Sequence, residues 1–167
     1  MVEVIASDLQ RQGEHMTERF LLRPLRPSDA GLIAHYTADR RVAEGTRSIP
    51  HPLPPGAAEA YVRRALSTDR DEDVWAIDGS ANRLAELLGV VSLTRMEADQ
   101  SELGFWVGAG FWNTGFATEA VAATHTAASM DEAWSLVSDM TLGKLADVFA
   151  KGLERYWLRW HPGYASP

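Results

Sequence analysis

Residues Ser101 to Val121, SELGFWVGAGFWNTGFATEAV, change period part-way and so decide how the chain is read. Up to Val107 the pattern alternates, with Glu102, Gly104 and Trp106 on one face of a strand and Leu103, Phe105 and Val107 on the other. Gly108 and Gly110 break the alternation, Asn113-Thr114-Gly115 forms a junction, and a helix starts at about Ala117. A helix start leaves its first N–H groups without intrahelical acceptors and carries partial positive charge, so a glycine-bearing turn there suits phosphate oxygens. Gly115 presents no side chain where a diphosphate needs its closest approach.

Two common phosphate motifs do not fit. No Gly-Lys-Ser/Thr follows the turn, which excludes a P-loop, and G-x-G-x-x-G cannot be laid across Gly110 to Ala117. The run Trp112-Asn113-Thr114-Gly115-Phe116-Ala117 instead resembles the acetyl-CoA signature Gln/Arg-x-x-Gly-x-Gly/Ala of the GNAT superfamily of N-acetyltransferases. The form is that of the RimJ/RimL-like branch, in which an aromatic-Trp pair precedes the turn and Ala-Thr-Glu-Ala opens the helix, as Phe111-Trp112 and Ala117 to Ala120 do here. The opening block TERFLLRPLRPSDA, Thr17 to Ala30, resembles the first strand and helix of the same branch.

The totals are compatible with that resemblance. A chain of 167 residues that is 46% hydrophobic can bury one core, at roughly 100 to 200 residues per domain. No apolar run approaches the ~18 residues of a membrane span and no secretory signal opens the chain, so a cytoplasmic protein without membrane attachment is expected. Cysteine is absent, which removes disulfides, a thiolate nucleophile and Cys-based metal sites. The formal charge of −7 disfavours nucleic acid and mildly favours a cationic partner.

Met1 to Met16 shows no clear period. Its Ser7, Leu9, Gly13, His15 and Met16 resemble a cleavable affinity-tag remnant, so residues 1–16 are read as that or as a disordered arm and set aside from fold reasoning; the alternative is a native arm on a partner subunit. The domain is expected over residues 17–167. Phe20 to Leu25 reads as a short strand with an edge proline. Ser28 reads as the N-cap of a helix from about Asp29 to Ala38, with Leu32, Ile33 and Tyr36 at helical spacing. Ser48 to Gly56, SIPHPLPPG, is a stiff loop, and a second helix follows from about Ala57 to Leu66. Asp73 to Ile77 and Leu87 to Thr94 are strands joined through the turn signal Asp78-Gly79-Ser80, the second apolar on both faces and so central. A helix from Ala117 to Met130, a strand at Trp134 to Val137, a helix marked by Leu142, Leu145, Phe149 and Leu153, and alternation from Arg155 to Trp160 complete the pattern.

The order βααβββαβαβ is that of a GNAT domain, although other α+β folds share it. The resemblance implies an α+β fold with a single domain: a mixed, mostly antiparallel central sheet of about six to seven strands flanked by about four helices. It also implies acetyl-CoA as co-substrate and a primary amine as acceptor, either a protein N-terminus or a small molecule. The diphosphate would take backbone N–H groups from Asn113, Thr114, Gly115, Phe116 and Ala117, with the Thr118 hydroxyl beside them. The pantetheine arm would run along Trp106, Val107 and Gly108 as an added strand. The first two helices and their connection would wall the acceptor, making His51 and its loop candidates for substrate contact; proline loops also serve as plain spacers.

Glu102 is the candidate general base, acting directly or through water; its other reading is a solvated strand glutamate. Glu119 complements the helix dipole and is given no catalytic part, and His35 and His125 are read as ordinary helix residues. No metal or serine-hydrolase motif occurs. After Ala123 the resemblance fades. The Asn-rich start of the last helix is missing, and the tyrosine that often protonates the leaving thiolate has no clear counterpart, since Tyr156 follows that helix. A catalytically inactive CoA-binding or regulatory module is therefore the alternative to an enzyme, and assembly as a homodimer is left open.

Overall fold

The computed structural model describes residues 12–46, 48–95, 101–128 and 158–159. Its centre is an antiparallel sheet in the order β1 (His15–Met16), β2 (Leu21–Pro24), β3 (Glu72–Asp78), β4 (Gly89–Arg95) and β5 (Ser101–Val107). The two-residue β6 (Leu158–Arg159) pairs with β5 at Glu102 and Leu103. Among the described residues four helices accompany the sheet: α1 (Ala30–Thr37), α2 (Arg40–Ala43), α3 (Ala57–Ala65) and α4 (Phe116–Ala128). The expected strand at Trp134 to Val137 and the helix through Leu142 to Leu153 lie outside the described residues, and with them the count of six to seven strands.

Strand pairing sorts the side chains into two cores. Val74, Ala76, Val90 and Trp106 face one way and pack with Ile33 of α1 and Ala58, Val62 and Ala65 of α3. Trp75, Ile77, Val91, Phe105 and Val107 face the other way and pack with Phe116, Ala117, Ala120 and Val121 of α4. The central strands are thus covered on both faces, as their apolar composition requires. Ala117 and Ala120 are almost fully buried, 1% and 0% exposed, so the alanine-rich side of α4 lets its backbone approach the sheet closely.

The segment before α1 departs from the sequence expectation. Ser28 is exposed and does not cap; Pro27–Asp29 forms a 3-10 turn leading into the helix, and the Asp29 carboxylate accepts the Arg26 N–H at 2.7 Å. The same carboxylate receives Arg23 in a two-pronged contact, Nη1 and Nη2 each at 2.9 Å, while Arg23 Nε donates to Asp78 Oδ2 at 2.6 Å. Arg23 is 0% exposed, so Asp29 serves a buried cation as well as a helix start. Between β3 and β4 the turn is longer than Asp78-Gly79-Ser80 suggests. Asp78 Oδ1 takes both the N–H and the hydroxyl of Ser80, and a 3-10 turn at Ser80–Asn82 follows before Leu84 and Ala85 rejoin Gly79 by main-chain bonds. Gln12 and Gly13, set aside in the sequence reading, bond to Val74 and Trp75.

Burial on its own would raise the Asp78 carboxyl, but hydrogen bonds from Ser80 and Arg23 outweigh it and hold the group below the usual carboxylate range. A carboxyl depressed in the folded state stabilises the fold above its unfolded pKa, and that contribution is lost as pH falls through the folded value. Urea midpoints should therefore drop below about pH 4, and the drop should be shallower in Asp78→Asn. Removing the cation, Arg23→Ala, leaves two buried carboxylates and should lower unfolding free energy by about 3–5 kcal/mol. Urea titration at pH 7 checks the second expectation.

Candidate active site

The end of β5 is built to turn. A Cβ on Gly108 would meet the Tyr36 ring at 2.9 Å, so only glycine lets the strand pass under α1 here. Ala109–Phe111 then forms a 3-10 turn closed by Phe111 N–H to Gly108 O at 2.9 Å, and the Thr114 hydroxyl bonds Phe111 O at 2.5 Å. Asn113 and Gly115 both sit in the left-handed region, at φ 61° and 79°. Asparagine tolerates that region and glycine enters it without strain. Asn113, Thr114 and Gly115 are all exposed, and the first intrahelical bond runs from Glu119 N–H to Gly115 O at 3.1 Å. The amides ahead of Glu119 open α4 without acceptors inside the helix, on a turn that solvent reaches.

The β5 edge beside this turn has a defined polarity. Gly108 N–H bonds Leu88 O, so in the alternating antiparallel ladder the N–H and C=O of Val107 point away from β4. Trp112 Nε1 donates to that Val107 carbonyl at 2.8 Å. What Val107 offers an added extended chain is therefore its N–H, and the indole clamps the strand end.

On the opposite side of the sheet lies a cavity of about 620 Å³. Its floor follows the strand register: Glu72, Thr94 and Glu102 stand side by side on β3, β4 and β5, followed by Ser92 with Gly104, then Val90 with Trp106. Its walls come from α1 and α3 and from the proline-rich loop, through Ser48, Ile49, Pro50 and Leu53. Tyr61 and Arg64 overhang it from α3. Burial first, and then the charge of Glu72, push the Tyr61 phenol well above its ordinary value, so it stays protonated at neutral pH.

The sequence pattern of the acetyltransferase (GNAT) domain matches residues 19–161. The chain belongs to the GNAT acetyltransferase family. Two solved structures align with part of this chain. A GNAT-family acetyltransferase from Bacillus anthracis aligns with a TM-score of 0.52 at 21% identity, over 66% of this chain and 63% of that one. A proposed ribosomal-protein-serine acetyltransferase from Vibrio cholerae aligns with a TM-score of 0.48 at 17% identity, over the same shares. This chain thus spans 63% of the length of either structure. Among curated proteins none matches the sequence.

In this GNAT domain the sequence-derived residues fall into two groups. Asn113 to Thr118 form the turn and the helix start, with Trp106, Val107 and Gly108 on the strand leading into it. Glu102 lies at the far end of the same strand and lines the cavity, as does Trp106. His51 does not line it. It borders a shallower recess of about 370 Å³ with Arg40, Ala43, Glu44, Thr46 and Ile49, while its loop neighbours reach the main cavity. Sequence alone does not single out Glu72, Tyr61 or Arg19. Glu72 enters the cavity only through pairing of β3 with β4, and Arg19 meets its partner Glu119 across 100 positions. Among the described residues no group of three or more metal-ligating side chains occurs, and no helix is long and apolar enough to cross a membrane.

Gly115→Ala should destabilise the domain by about 1–2 kcal/mol, the cost of a Cβ in left-handed backbone. Gly115→Asn should lose less, since asparagine tolerates that conformation. Urea unfolding of the two variants beside wild type checks the order.

Proposed function

We propose that this chain transfers the acetyl group of acetyl-CoA to a primary amine by direct attack in a ternary complex. One observation carries the reading. A single strand, β5, bears a carboxylate in a cavity at one end and leads into an exposed, glycine-bearing helix start at the other. The separation of Glu102 and Val107 is about 17 Å along the strand, a span that a long thiol-ended arm can cross. GNAT acetyltransferases use acetyl-CoA as co-substrate, and the parts here suit it. The amides from Asn113 through Ala117 hold the diphosphate, with the Thr118 hydroxyl beside them; the arm lies along Trp106 to Gly108, taking the Val107 N–H; and the thioester reaches the sheet between the turn and Glu102.

The acceptor enters from the cavity side. Its amine must be neutral to attack, and Glu102 takes the proton, directly or through water, as the N–C bond forms. The C–S bond then breaks and the departing thiolate takes up one proton, so the net change is amine and thioester to amide and thiol. Holding amine and carbonyl in attack geometry supplies the larger share of rate, roughly 7 to 11 kcal/mol in favourable cases. An α-amino group with pKa near ~8 asks less of the base than a lysine near ~10.4. That favours a protein N-terminus, in keeping with the RimJ/RimL-like character of the turn, over a lysine side chain; a small amine of similar basicity is the other acceptor class. The proline-rich loop, with His51 at its outer side, forms the rim that such an acceptor passes.

Titration calorimetry should show acetyl-CoA binding, and thiol release with a panel of amines and N-terminal peptides should show turnover. Binding without turnover for any acceptor would identify a non-catalytic CoA-binding module instead. Glu102→Gln should lose turnover, most at low pH where fewer acceptor amines are neutral, and should keep acetyl-CoA affinity. Turnover unchanged across pH would remove Glu102 from the mechanism.

A further inference from the structure

On the reading just proposed, a diphosphate rests at the start of α4, yet that helix carries a carboxylate in its first turn. Glu119 complements the helix dipole when no ligand is near, but it stands only about 6 Å along the axis from Gly115. Its negative charge at that range opposes an anionic ligand on the same amides. Burial would raise this carboxyl, but hydrogen bonds from Thr17 and Arg19 outweigh it and hold it below its ordinary value, so it is charged at neutral pH.

Arg19, in the segment just before β2, resolves the conflict. Its main-chain N–H donates to Glu119 Oε1 at 3.0 Å and its Nε to Oε2 at 2.6 Å, so one residue engages both carboxylate oxygens. Its Nη1 donates to Thr114 O at 2.7 Å. The guanidinium carbon lies 4.4 Å from the centre of the Phe116 ring, and Nη2 would sit 3.4 Å from a Cβ on Gly115. The space left by that glycine is thus bordered by a cation, and not by solvent alone. A trans peptide points its N–H opposite to its C=O, so holding Thr114 O toward Arg19 aims the Gly115 N–H away from the guanidinium. A second guanidinium, Arg41, lies 5.7 Å from the Trp112 ring but is engaged with Asp39.

We propose that Arg19 is a positioning residue for the coenzyme: it cancels the charge of Glu119 and orients the Thr114–Gly115 peptide so that the helix start can receive a diphosphate. The role rests on the acetyl-CoA reading above, and it differs from a plain structural tie in the sign of its effects. A tie is broken equally by changing either partner. A neutralising cation is needed only while the carboxylate is there.

The experiment is titration calorimetry with acetyl-CoA on wild type, Arg19→Gln, Glu119→Gln and the double variant, at low and high salt, with urea unfolding of each apo protein. Both single variants should lower apo stability alike, since each breaks the pair. Affinity should divide them. Arg19→Gln should bind roughly tenfold more weakly, Glu119→Gln should stay within about twofold of wild type or bind more tightly, and the double variant should recover the part of the loss that comes from the uncancelled charge. High salt should narrow the gap between Arg19→Gln and wild type. If Glu119→Gln weakens binding as much as Arg19→Gln, or the double variant shows no recovery, the proposal is overturned and the pair is a structural tie. Should Arg19→Gln fail to fold, the sign of the Glu119→Gln effect decides alone. Absence of acetyl-CoA binding by wild type would remove the functional reading and this role with it, whereas the wrong pattern among binding variants removes this role only.

Discussion

The ladder between β4 and β5 is the constraint from which the rest of the molecule follows. It pairs Gly89 with Val107 and continues without a break to Arg95 and Ser101. Side chains alternate along a strand, so this register alone puts Glu102, Gly104 and Trp106 toward α1 and α3, and Leu103, Phe105 and Val107 toward α4. A slip of one residue would send the carboxylate into the α4 core and the apolar set into the cavity. Because both faces are covered by helices, that slip is costly on either side. The ladder also determines where the strand stops, since Leu88 claims the Gly108 amide and Trp112 claims the Val107 carbonyl.

Two arginines near the N-terminal end of the sheet do opposite kinds of work. Arg23 is sealed between Asp29 and Asp78, joining β2, the end of β3 and the entrance to α1. A cation there is fully desolvated, and its two carboxylate partners are what make its burial tolerable. Arg19 reaches the other side of the sheet and is 38% exposed at its side chain. There the solvent screens much of the pair's energy, and its effect lies in the local field and in the direction of one peptide group. The same short segment therefore anchors both helical layers, one by burial and one at the surface.

Much of this was legible in the sequence because it is local. The alternation from Ser101 to Val107, the glycine break, and the helix start within one residue of Phe116 are all written in neighbouring side chains. The faces assigned to Glu102 and Phe105 follow from parity and hold in the structure. What escaped is non-local or competitive. Ser28 is a good capping residue by type, but the N-cap position of α1 falls on Asp29, whose carboxylate is taken by the buried Arg23 and the Arg26 N–H and makes no cap bond to the helix. The single turn Arg40–Ala43 is too short for periodicity to reveal, and its Asp39 cap was the only local sign. Glu72 looks like a solvated glutamate at the start of β3 until strand pairing brings it into line with Thr94 and Glu102. Sequence places His51 with its loop, and the loop does reach the cavity, but the histidine borders a neighbouring recess.

The contact between Arg19 and Glu119 joins residues 100 positions apart. Closing so long a loop is entropically expensive and slow compared with forming a helix or a hairpin. During synthesis the guanidinium emerges 100 residues before its carboxylate partner. The tie at the start of α4 therefore reports on long-range docking of the segment leading into β2 against that helix rather than on local structure.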